Sequence, residues 1–174
     1  MIVNKHNSAE TVKLRRYRAS LVTDGIGIIT FGLWSIIKSL LSFLMQPSDF
    51  ELPNNERIPD PAEILIIIVV AVIIVLIFVA IILGIHLYVG LSSYKEGRNG
   101  KKGSFYLVAA GLMAFLNCLG MTLYFVSPNG SKTITITSIA AFIIDLTTDI
   151  ILLDMIYAAF MSRKLAAKLE SEAI

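Results

Sequence analysis

A chain of 174 residues with 56% apolar and only 16% charged side chains has the length of one domain but too much apolar surface to be dissolved in water. Its net charge of +2 carries no nucleic-acid signal, and a single cysteine, Cys118, excludes an internal disulfide, a cysteine-based metal site and the two-thiol relay of a quinone-linked disulfide-forming enzyme. Lipid must solvate most of it.

Residues 1–20 are a polar, basic leader, too long for a signal-peptide n-region, and no small-residue cleavage pattern closes the apolar run that follows. The first apolar segment is therefore expected to be a retained anchor. Asn7 or Ser8 with Glu10 reads as a helix start, and the run LRRYR precedes the first span.

A bilayer core of about 30 Å needs roughly 20 apolar residues, and the stretches 21–45, 64–91, 105–126 and 134–161 qualify. Between them lie Gln46 to Glu63, Ser92 to Ser104 and Ser127 to Thr133, all rich in turn formers. The second span is purely apolar from Ile64 to Ile85, so it can face lipid over most of its surface, which leaves the polar contacts to the other three. Residues 162–174 read as a short tail continuing the fourth helix.

Twelve basic residues flank the spans in the leader, the second loop and the tail, against Arg57 and Lys132 in the first and third loops. Lys and Arg stay on the cytoplasmic side, so both termini and the middle loop are expected there. The sequence thus predicts an all-α integral membrane protein, an antiparallel four-helix bundle with cytoplasmic ends. The first loop, with Asp49, Glu51, Glu56, Asp60 and Glu63, becomes an acidic outer turn. Arg15, Arg16, Arg18, Lys101 and Lys102 are placed to meet anionic headgroups, at about 1 kcal/mol per basic residue near the surface.

Ionisable residues inside a span cost at least ~2.5–3.5 kcal/mol near its centre and are functional candidates for that reason. In FIIDLTTDIILLD, Asp145 and Asp149 lie one turn apart on one helix face, while Asp154 is turned roughly 140° from Asp149. Depth arithmetic places Asp145 at roughly 16 Å and Lys38 at roughly 10 Å from the outer boundary, within reach of a lysine stem. An ion pair between Lys38 and Asp145 is expected, and Asn117 falls level with Asp149 as a hydrogen-bond donor. Asp24, His86 and Asp154 share a depth near the inner boundary.

Three uses of these groups compete. They can fix helix association, line a cation or proton path, or hold a divalent metal at the Asp-x-x-x-Asp pair. The metal reading lacks the additional acidic and basic motifs that membrane enzymes acting on lipid diphosphates or CDP-alcohols carry. Small multidrug transporters share the span count, but their acid lies in the first span. No cofactor or metal is called for, His86 has no second His or Cys nearby, and Gly25 and Gly32 form a small-residue stripe for close helix packing. The expectation is a non-catalytic accessory or interaction subunit in a plasma membrane, of bacterial inner-membrane character. Its partners would be lipid with anionic headgroups, a second copy or a larger membrane protein. A small oligomeric cation- or proton-coupled transporter or channel is the alternative.

Overall fold

The computed structural model describes residues 3–45, 60–100, 103–126 and 136–172. Residues 46–59 of the acidic first loop, Lys101, Lys102 and the third loop lie outside the described residues, while Asp60 to Glu63 belong to the start of α2. The chain forms four helices, α1 (Val3–Met45), α2 (Pro61–Asn99), α3 (Phe105–Val126) and α4 (Ile136–Ser171), with no strand among the described residues. Three of them, α1, α2 and α3, contain segments long and apolar enough to cross a membrane, as in an integral membrane protein. In α4 the run is broken by Asp145, Asp149 and Asp154.

At ~1.5 Å per residue the 22 residues of α3 reach about 33 Å, close to a hydrocarbon core of ~30 Å. The 43, 39 and 36 residues of α1, α2 and α4 reach roughly 65, 59 and 54 Å, so each outruns a bilayer. The excess gathers at one end. Lys168 of α4 bonds Glu10 of α1, Ser20 meets Asp154, and Lys38 meets Asp145, so α1 and α4 run antiparallel in one register. On the other flank Arg18 of α1 lies against Gly97 of α2, and Gly32 against His86, which makes that pair antiparallel too.

Two helix ends differ from the sequence reading. The leader is already helical at Val3, so the basic segment and the first apolar run are one rod. The second loop shrinks, because α2 continues through Ser92 to Asn99. The reason is tertiary: Ser93 and Glu96 are buried, and Ser93 Oγ donates to the Leu21 carbonyl at 2.8 Å. Gly100 stops the helix in the left-handed conformation, φ 67°, with its N–H on the Glu96 carbonyl. At the other end Asp60 accepts from the Ala62 N–H, next to Pro61 in the first turn, the arrangement expected of a helix start.

Helix α1 packs between α2 and α4, α3 packs on α4, and α1 does not touch α3 among the described residues. The shared interior expected for α1, α3 and α4 is therefore two separate contacts on α4. The core, built on Leu21, Ile28, Val89, Tyr106, Ala110, Leu152, Met155 and Ala159, lies toward the end where the long helices project. Away from it, α2 is exposed on every side from residue 62 to 78.

Glycine sets the α1–α2 distance. A methyl group on Gly90 would sit 2.6 Å from the Gly25 carbonyl oxygen and 2.6 Å from Cγ1 of Ile29, while one on Gly84 would meet nothing within 4 Å. Gly90→Ala is expected to destabilise the protein by about 1–3 kcal/mol, because backbone cannot yield as a side chain can. Gly84→Ala should be neutral or stabilising by up to about 1 kcal/mol through helix propensity. Denaturation in detergent micelles compares the two, and equal effects would show that α1 and α2 are not in close contact at Gly90.

Candidate functional site

The polar groups that the sequence reading puts at span depth are gathered along α4. Lys38 Nζ donates to both carboxylate oxygens of Asp145, at 2.8 and 2.7 Å. A charge-assisted contact to both oxygens replaces much of the hydration each ion loses on leaving water. One turn on, Asp149 is only 4% exposed and faces α3 instead. Asn117 Nδ2 donates to Asp149 Oδ1 at 3.0 Å and to the Asp145 backbone carbonyl at 3.1 Å, and Cys118 Sγ donates to Asp149 Oδ2 at 3.4 Å. The two carboxylates thus look toward different helices. A metal held between them would have to displace both sets of donors.

Thr147 and Thr148 return their hydroxyls to carbonyls of their own helix, Ile143 and Ile144. They add no free polar surface beside the two acids.

Toward the core end, Ser20 Oγ lies 3.1 Å from Asp24 Oδ2 and 3.0 Å from Asp154 Oδ2, which joins two of the three residues grouped by depth. His86 is not among them. Its Nδ1 is 2.8 Å from the Ile82 carbonyl of its own helix, and its ring covers Gly32, so it faces α1 on the α2 side. Similar depth did not imply a shared direction.

A second polar centre sits where α2, α3 and α4 meet. Glu96 is 3% exposed and receives Arg163 Nε on one oxygen and Arg163 Nη2 on the other, each at 2.7 Å. Tyr106 Oη donates to the same carboxylate at 2.8 Å, and Arg163 Nη2 also reaches the Gly103 carbonyl. The two hydrogen bonds to Glu96 hold the Arg163 guanidinium above its usual range, against the opposing pull of burial. Farther out, the bond to Glu10 likewise raises Lys168. These contacts join α4 to α2 and to α1 at the projecting end.

Glu96 and Arg163 are an ion pair that the loop assignment concealed. A signal for it is present: Val89, Gly90, Ser93, Glu96 and Gly97 recur at helical three- and four-residue spacing, and all five are buried. Of the basic residues placed near headgroups, Arg15 and Arg16 are exposed and Arg18 is half-buried against the end of α2.

No family model matches the chain, and no curated protein or solved structure matches it either. What these residues do has to follow from their own geometry.

Proposed function

We propose that the chain is a four-pass membrane protein with both ends in the cytoplasm, a non-catalytic interaction subunit of a plasma-membrane assembly of bacterial inner-membrane character. One observation carries the non-catalytic reading. The charged and amide groups at span depth are engaged with one another, Lys38 with Asp145 and Asn117 with Asp149. Groups so engaged hold helices together, at about 0.6–2 kcal/mol per interhelical hydrogen bond. The fourth crossing is supported by the same contacts. They offset the cost of Asp145 and Asp149 in lipid by giving each acid a donor from a neighbouring span.

Orientation rests on the basic residues. Arg15, Arg16, Arg18, Lys95, Arg98, Arg163, Lys164 and Lys168 all belong to the end where α1, α2 and α4 project together, which the positive-inside rule assigns to the cytoplasm. Support for an interaction role comes from α2, whose residues 64–78 are apolar and exposed on every side. A second copy or a larger membrane protein can pack there without competing for the polar contacts.

Reconstitution separates this from the transport reading. Proteoliposomes are expected to show no proton or monovalent-cation flux above that of empty vesicles. Asp149→Ala should weaken the fold by about 0.6–1.7 kcal/mol, while Asp149→Asn, which keeps an acceptor for Asn117, should cost less. Cation flux abolished by Asp149→Asn at unchanged detergent stability would replace the proposal with a transporter or channel. Extraction in native-lipid nanodiscs should recover the chain in a stoichiometric complex, and recovery as a lone monomer would count against the subunit role.

A further inference from the structure

The Glu96–Arg163 pair forms one wall of a shallow, half-open hollow lined by Arg18, Glu96, Gly100, Ser162, Arg163 and Ala166. Arg18 is half-buried there, and among the described residues it has no hydrogen-bond or ion-pair partner. All its N–H donors are uncommitted. Arg163 uses Nε and Nη2 on Glu96 and Gly103, which leaves Nη1 without a bond. The Ser162 hydroxyl is engaged by the Ala159 carbonyl at 3.0 Å, so the donors available to a guest belong to the two arginines.

Charge narrows what fits. Two guanidinium groups and the Glu96 carboxylate leave one positive charge at the hollow. Guanidinium groups match tetrahedral oxyanions through paired N–H donors. We propose that Arg18 and Arg163 bind a single phosphate oxyanion at the open mouth of this hollow, the phosphodiester of an anionic lipid headgroup where the membrane supplies it. The lipid source rests on the membrane reading above. The binding itself does not depend on the chain's being a subunit, since it is measured on the chain alone.

The opposing explanation is that Arg18 merely complements the negative end of the α2 dipole. An exposed control is available in Arg16, which lies two residues from Arg18 and so roughly 160° around the helix. The full chain is reconstituted in phosphatidylcholine nanodiscs, then with increasing phosphatidylglycerol, and the unfolding temperature is followed. Phosphatidylglycerol is expected to raise it for the native chain and for Arg16→Gln. Arg18→Gln should need about tenfold more of that lipid or fail to respond, with Arg18→Lys between.

Inorganic phosphate titrated into the phosphatidylcholine discs distinguishes the sources. A rise with phosphate that Arg18→Gln abolishes shows that the site also takes the free ion, and a rise with phosphatidylglycerol alone assigns it to lipid. The proposal is overturned if neither phosphate source stabilises the native chain. It is also overturned if Arg16→Gln loses as much response as Arg18→Gln, which is diffuse surface attraction. A third overturning result is a lowering by Arg18→Gln that is the same with and without phosphatidylglycerol, which is dipole capping.

Discussion

Glu96→Ala is expected to destabilise the protein by about 3–5 kcal/mol, because it removes one member of a buried ion pair and leaves the other without a counter-charge. The carboxylate is 3% exposed and accepts from Nε and Nη2 of Arg163 and from Tyr106 Oη. Removing it strands a guanidinium and a phenol at the junction of three helices. Arg163 would keep only the Gly103 carbonyl. Tyr106→Phe should cost less, about 0.5–1.5 kcal/mol for one hydrogen bond, since the ion pair survives it. A paired replacement, Glu96→Leu with Arg163→Met, should recover a large part of the loss by replacing charge with apolar contact. Unfolding in micelles checks all three, and a cost for Glu96→Ala below about 1 kcal/mol would mean that the pair is solvated like a surface salt bridge.

How much of this was legible depended on what lipid does to the usual signals. Helix α3 covers 105–126 as its apolar run predicts, because a span of bilayer length leaves little freedom. The end of α2 was hidden in SSYKEGRNG, where turn formers and charges suggested a loop and the burial of Ser93 and Glu96 prevailed over local propensity. Helix rotation was the harder quantity. In water an apolar stripe marks the buried face, but where core and lipid are both apolar that contrast disappears. Depth alone did well for Lys38 and Asp145, since a charge inside a span has few partners within reach. It did poorly for His86, which had the carbonyl of Ile82 available on its own helix. Small residues carried the missing information: Gly25, Gly32, Gly90 and Gly97 all lie where α1 and α2 approach closest.

Lys38→Met should be the other costly substitution, by about 2.5–3.5 kcal/mol, the cost of leaving Asp145 unpaired at span depth. Two effects oppose each other at this site. The ion pair gives up hydration, so its net contribution is modest, while a lone carboxylate in lipid retains the full desolvation cost. The double variant Lys38→Met with Asp145→Leu should therefore be closer in stability to the native chain than either single change. Register adds a second consequence. Lys38–Asp145 is the farthest of three contacts, after Glu10–Lys168 and Ser20–Asp154, that align α1 against α4. Were the pair needed mainly for alignment, the double variant would stay as weak as Lys38→Met, and a disulfide engineered between α1 and α4 beyond Lys38 would form less readily in it than in the native chain. Recovery of stability with unchanged cross-linking is the expected outcome, because the other two contacts already fix the register.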